Sequence, residues 1–331
     1  MKYKSLYDTE SIIKCIDSVN ESYNTSLNRF NDAKGGLLNP QNLVAVNPTV
    51  YKMQYPDLSL IESGININNF GAYLPVVQSV SLEPIGSWEV ADNRSSNDGK
   101  ITLSADYSNI KSEPFKAFAT WTDIEQNRIS QAANINLPTE ELNAMSYLYL
   151  VTVDEVGLVG KTSIDKLGLL NNKSFHRVNL DKKLTELEPM QAYYKLLALI
   201  NEHNTRTQNT QQYLADTIIL PVEVYNYINN YQMLIFVNGT NLTVYEALQA
   251  RFKNMKIVPS PRATNVSIDG ANTNVIAIFN RHENNLTMRI PVPMKLTPVQ
   301  QDGWKYKVDG YALIAGIDIL RKESGTLVTG A

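Results

Sequence analysis

Between Asp216 and Pro259 the spacing of apolar positions changes several times, and each change falls at a break. Thr217-Ile218-Ile219-Leu220 is a short β-branched run that stops at Pro221, the pattern of a buried strand. Pro221 suits a first helical turn, and Val222, Val224, Tyr225 and Ile228 recur at near-helical spacing after it. Met233 to Val237 reads as a strand or a helix end and leads into the polar gap Asn238-Gly239-Thr240-Asn241. Thr243, with Glu246 three residues on, forms a capping box ahead of Val244, Ala247, Leu248 and Phe252. Met255 to Val258 returns to strand before Pro259 and Pro261. The order strand, helix, loop, helix, strand predicts an α+β packing unit with no catalytic group at its junctions.

The same reading extends along the chain. Residues 1 to about 35 carry Ile12, Ile13, Ile16, Val19 and Tyr23 at the spacing of one weakly amphipathic helix, ending at Gly35-Gly36. From Leu37 to about Ile61, Asn and Pro interrupt short apolar pieces, as in an extended arm. Val76 to Leu82 and Lys100 to Leu103 are strand-like and flank the polar span Ala91 to Gly99, which predicts a long hairpin. The alternating run Phe115 to Thr122 then continues the sheet.

Asp123 with Gln126 marks a helix start ahead of Ile124, Ile129, Ala132 and Ala133. Pro138-Thr139-Glu140-Glu141 starts a second helix, with Leu142, Met145, Leu148 and Tyr149 on one face; strand propensity over Tyr147 to Val153 ends the helical reading near Leu148. Pro189 to His203 predicts an amphipathic helix with Met190, Tyr193, Tyr194, Leu197 and Ile200 inward, and Glu186 and Glu188 at its N-terminal end. Val275 to Phe279 and Leu286 to Ile290 read as strands flanking a hairpin end at 280–285, and Trp304 to Asp318 holds two more strands.

Composition narrows the function classes. The 331 residues are 43% hydrophobic, enough for one large domain or two lobes. Charged residues are 19% and the net charge is -3, so no basic footprint points to nucleic-acid recognition. Cys15 is the sole cysteine, which excludes an internal disulfide framework and reads as an inert small side chain. No apolar run reaches the length of a membrane span and no signal-peptide core follows Met1, so the product is expected to be soluble and intracellular when made.

Gly157-Leu158-Val159-Gly160-Lys161-Thr162 looks like a phosphate loop but fails on spacing, because Glu155 stands where the first glycine belongs. Its glycines read as turn residues, as does Gly168. His176, His203 and His282 share no metal-binding spacing, and Cys15 has no neighbouring histidine. No catalytic, cofactor-binding or metal-binding residue is therefore expected, although carboxylates brought together only by the fold stay open at this point.

Several of these segments carry a family resemblance. Asp216-Thr217, Leu220-Pro221, Thr243-Val244 and Ile257-Val258, with Gly168-Leu169-Leu170-Asn171 and the closing strands of Trp304 to Asp318, resemble the tailed-bacteriophage major capsid proteins of the Hong Kong 97-like, encapsulin-related class. Ala215 replaces the family's proline before Asp216, and Gly310-Tyr311-Ala312-Leu313 stands where a second proline is usual. The resemblance implies an α+β capsid fold: an N-terminal arm (1–70), an extended loop with flanking strands (71–122), a peripheral domain with a long spine helix (123–171 and 286–331) and an axial domain (172–285).

It further implies a non-enzymatic subunit forming pentamers and hexamers of an icosahedral head around double-stranded DNA, assembled in the bacterial host cytoplasm and located in the virion. Its partners would be itself, portal, scaffolding or decoration proteins, and packaged DNA in weak non-specific contact, with no membrane. By analogy with some relatives, Lys100 on the hairpin could be pictured as a covalent cross-linking group, but the sequence gives no evidence for that role. An encapsulin-type compartment shell and, in another class, a soluble α+β enzyme or ligand-binding protein are the alternatives.

Overall fold

The computed structural model describes residues 58–88, 101–133, 136–161, 166–230, 234–237 and 240–331. The N-terminal helix and most of the arm with Cys15, the hairpin tip with Lys100, Thr162, Met233 and Asn238-Gly239 lie outside these residues. The chain divides into two units, Met1–Met53 with Arg128–Ile135, and Gln54–Asn127 with Asn136–Ala331. Only the last turns of one helix are described in the first; the second carries the architecture below.

In chain order it begins with helix α1 (Ser59–Ser63), β1 (Ile67–Asn68) and three ten-residue strands, β2 (Val76–Ile85), β3 (Thr102–Lys111) and β4 (Glu113–Thr122). Helix α2 (Asp123–Ala133) and the 22-residue helix α3 (Leu137–Leu158) follow, then β5 (Gly160–Lys161), β6 (Lys166–Leu167), β7 (His176–Asn179) and helix α4 (Pro189–Arg206). The segment of changing period becomes β8 (Thr217–Pro221), α5 (Val222–Ile228), β9 (Ile235–Val237), β10 (Thr240–Leu242), α6 (Val244–Arg251) and β11 (Lys256–Ser260). The remaining strands are β12 (Val266–Ile268), β13 (Ala271–Thr273), β14 (Val275–Phe279), β15 (Leu286–Arg289), β16 (Val292–Leu296), β17 (Gln300–Asp302), β18 (Lys305–Ile314), β19 (Gly316–Ile319) and β20 (Gly325–Thr329).

A mixed sheet in the order β11-β8-β14-β20-β7 separates two cores. Ile219, Val258, Ala277, Phe279 and Leu327 point to one, and Ile218, Leu220, Ile257, Ile276, Ile278 and Val328 to the other. Because both faces are covered, β14 is apolar throughout and β8 after Thr217, and both are fully buried. Helices α4, α5 and α6 cover one face. The C-terminal half of α3, α1 and the Leu169-Leu170 pair cover the other.

The structure corrects several expectations. Pro221 ends β8 and stands at the N-cap of α5, one position outside the helix. The capping box of α2 lies one residue earlier than read: Glu125 N–H donates to Thr122 Oγ1 (3.2 Å), and Thr122 N–H to Glu125 Oε2 (3.0 Å). Helix α4 buries Tyr193 and Ile200 as expected, and with them Ala192, Leu196, Leu199 and His203, while Tyr194 is exposed. Helix α3 does not stop at Leu148. Thr152 Oγ1 donates back to Leu148 O (2.9 Å), and Val153 and Val156 are buried, so packing overrides the strand propensity of this β-branched run.

Strand β4 does not extend the hairpin; it pairs along its whole length with β18. Strands β14 and β15 belong to different sheets, so 280–285 is a corner between layers. Asn280 and Asn285 fasten it, their Nδ2 groups donating to Leu214 O (2.7 Å) and Gln212 O (2.6 Å). Strand β20, at the end of the span assigned to the peripheral domain, inserts between β14 and β7 in the sheet of the 172–285 region.

The tetrapeptide Gly168-Leu169-Leu170-Asn171 acts as the C-terminal cap of α3. Leu169 and Leu170 N–H groups donate to the carbonyls of Gly157 and Leu158 (both 2.8 Å), and Asn171 Nδ2 donates to Val159 O (2.8 Å). Helix-end carbonyls are otherwise unsatisfied, and here a later segment satisfies three in succession. Gly160, with φ +79°, makes the turn between helix and cap.

His203 is a satisfied core histidine. Its Nε2 faces the carbonyl of Tyr213 (2.9 Å), which can only accept, so Nε2 carries the proton and Nδ1 accepts from Thr326 Oγ1 (2.8 Å). Burial pushes the imidazole from 6.5 down to about 4; the Tyr213 bond opposes this and nearby Arg206 adds to it. The unfolded chain takes up this proton near pH 6.5 and the folded one only near 4, so stability falls as pH drops through that window, by up to about 3 kcal/mol at pH 4. Urea titrations between pH 7 and 4 should show this loss in the parent and a shallower one in His203→Gln; parallel pH slopes would contradict the assignment.

Candidate assembly surfaces

The residues singled out by the sequence motifs lie on separate elements. Gly157 lies in the last turn of α3 against Leu60, and Lys161 Nζ sits 5.4 Å above the Phe115 ring. His176 and His282 are exposed; His176 lies near enough to the buried His203 to add slightly to the lowering of its pKa. The features that ask for a partner are two surfaces.

The first is the ribbon formed by β2 and β3, which pair with each other and, among the described residues, with no third strand. Strand alternation gives it two unlike faces. On one, the register sets Val80 opposite Tyr107, Leu82 opposite Ala105 and Pro84 opposite Leu103. On the other it sets Ser79 opposite Ser108, Ser81 opposite Asp106 and Glu83 opposite Ser104. The apolar face is open to solvent, with Leu82 57% and Leu103 64% exposed. A two-stranded ribbon is at best marginally stable in water without a surface to pack on. This one keeps its apolar stripe unburied, which a protein working as a single copy gains nothing from.

The polar face turns toward the ribbon's own subunit. Ser79 Oγ donates to Asp318 Oδ2 (2.6 Å) and Ser108 Oγ to Oδ1 (2.9 Å), while Arg289 Nε donates to the same carboxylate (3.3 Å). At the ribbon's foot, Lys166 Nζ donates to the carbonyls of Lys111 (2.6 Å), Ile314 (2.9 Å) and Ala315 (3.0 Å). Burial lowers the Lys166 pKa to about 8, with Glu113 pulling it upward.

The second surface is a groove of ≈ 580 Å³ between α3 and β4. Met145, Leu148 and Tyr149 form one wall and Phe115 and Ala117 the other. Leu148, expected in the core, is exposed in this wall, one position off the buried line of Met145, Val153 and Val156. Glu141 stands at the edge, its carboxyl pKa raised by desolvation and then by Glu125.

An unpartnered two-faced ribbon, an apolar groove and a two-core body define the class: a structural subunit whose surfaces are completed by other molecules. A family model for the major capsid protein matches residues 107–330, more than half of the chain, and the chain belongs to that family. The capsid protein of Myoviridae phage XM1 is 28% identical, with a TM-score of 0.77 over 90% of this chain and 100% of that one. The fold also matches the capsid of the native GTA particle (12% identity, TM-score 0.65, 91% and 98% covered). A third match is the capsid of cyanophage P-SCSP1u (9% identity, TM-score 0.60, 90% and 96% covered). No curated protein matches the chain. The protein is a structural subunit of a phage capsid with the Hong Kong 97-like fold.

Proposed function

We propose that this subunit assembles into pentamers and hexamers of an icosahedral head enclosing double-stranded DNA, by laying the apolar face of its ribbon over the α3–β4 groove of a neighbouring copy. The observation that carries this reading is the exposed stripe of Val80, Leu82, Leu103 and Tyr107 on a ribbon that pairs with no third strand among the described residues. Burying the exposed remainder of these side chains contributes roughly 1 kcal/mol each. One such contact is weak, and a closed shell repeats it on every subunit.

In this reading the ribbon is the extended loop, α3 the spine helix of the peripheral domain, and the five-stranded sheet with α4 to α6 the axial domain, to which β20 is added. A net charge of -3 suits a wall that touches packaged DNA only weakly. Assembly takes place in the host cytoplasm, with portal and scaffolding or decoration proteins as further partners, and the subunit has no enzymatic role. Among the described residues no helix is long and apolar enough to cross a membrane. Neither the compartment-shell reading nor the soluble-enzyme reading has an observation in its favour.

The test is a cysteine pair. In a Cys15→Ser background, Leu103→Cys on the ribbon and Leu148→Cys in the groove, placed in separate copies and mixed before assembly, should form an inter-subunit disulfide in the shells. Mixed shells without that cross-link would overturn the overlap.

A further inference from the structure

The ribbon's two faces are held by different physics. Among the described residues, beyond Val77, which is buried near its base, its side-chain hydrogen bonds and ion pairs to its own subunit come from one face. Asp318 is 1% exposed and accepts from three groups: Arg289, on the neighbouring strand β15, and Ser79 and Ser108, on the ribbon. Arg289 Nη2 also donates to Ser79 Oγ (3.0 Å), so the ion pair and the ribbon share one closed network. Further out, Arg321 pairs with Glu83.

The ion pair itself belongs entirely to the body. Only the two serine hydroxyls cross to the ribbon, and water can replace a hydroxyl donor at small cost, whereas an apolar seam would resist reopening. The pivot is short. Ser112 alone separates β3 from β4, its N–H bonded to Pro75 O (2.8 Å), and its buried Oγ has no hydrogen-bond partner among the described residues.

We propose that Asp318 and Arg289, acting through Ser79 and Ser108, are a reversible latch that sets the angle of the ribbon to the subunit body before assembly. With the latch closed, the polar face is turned inward and the apolar stripe is presented outward at one angle. With it open, the ribbon swings about Lys111 and Ser112. The inference rests on the reading of the ribbon as the overlapping arm, and it concerns how that arm is aimed.

Spin labels at Leu103→Cys and Lys182→Cys, in the Cys15→Ser background, report the ribbon-to-body distance in the unassembled full-length subunit by double electron–electron resonance. The parent should give one narrow distribution. Ser79→Ala with Ser108→Ala leaves the ion pair intact and removes only its ties to the ribbon; it should broaden the distribution at least twofold without changing the circular dichroism spectrum. Asp318→Asn should broaden it as well. An unchanged width in the serine pair overturns the latch, whatever Asp318→Asn does. Because the measurement is made on the free subunit, a failed inter-subunit cross-link would count against the overlap and leave these distances standing.

Discussion

Replacing Leu82 and Leu103 together by glutamate should give a folded subunit that no longer builds shells. Both side chains are more than half exposed in the single copy, so the monomer's circular dichroism and thermal midpoint should stay close to those of the parent. The loss falls on the contact. Two apolar groups that each add roughly 1 kcal/mol when covered become two carboxylates that must be desolvated there at a cost of about 1–3 kcal/mol or more each. The contact weakens by at least about 4 kcal/mol, a thousandfold or more. Light scattering at concentrations where the parent forms shells should then report only small species. Ser104→Glu, on the opposite face, should still assemble; if it fails equally while the double variant forms shells, the stripe is not the contact.

The second large effect is on folding. A Cβ built on Gly168 lies 2.4 Å from both the carbonyl carbon and the oxygen of Leu158, and 2.5 Å from Gly160 N. All three are backbone atoms, so no side chain can swing aside. To admit the methyl group, the cap must leave the end of α3 and give up the bonds from Leu169 and Leu170, two leucines with no exposed surface. We expect Gly168→Ala to cost more than about 4 kcal/mol, a large share of the typical 5–15 kcal/mol for a domain. The protein should be insoluble on expression or show a sharply lowered urea midpoint. Gly303→Ala is the contrast: φ is +60° and nothing lies within 4 Å, so only the backbone penalty of about 1–2 kcal/mol remains. Equal midpoints for the two variants would refute the close-approach argument.

Legibility followed the range of the forces involved. The capping box of Thr243 and Glu246 was readable because both of its hydrogen bonds are local, 2.9 and 3.1 Å across three residues. Thr217 to Leu220 was readable because burial on both faces requires an unbroken apolar run. The ten-residue β4 was visible as alternation, but not its partner β18, which follows almost two hundred positions later. The β propensity of Tyr147 to Val153 hides the C-terminal part of α3, because it takes no account of the core that Val153 and Val156 enter. Strands β7 and β20, four and five residues long, leave little trace in the sequence because their pairing is long-range, β20 lying between β14 and β7.

The assembly surfaces divide in the same way. Apolar positions at Val80, Leu82 and Leu103 marked strands, yet only the register showed that Leu82 and Leu103 share one face and Ser79 and Ser108 the other. Nothing near Ser79 in the sequence announces Asp318, 239 positions away. The pattern Gly168 to Asn171 stands out in the sequence, but its role as a cap depends on its donors meeting the carbonyls at the end of α3.

The most direct measurement is the mass and shape of the purified full-length protein over a range of concentrations, by light scattering with negative-stain electron microscopy. The account predicts rings of five or six subunits or closed shells that grow in with concentration. A compact monomer at every concentration and salt condition would contradict it.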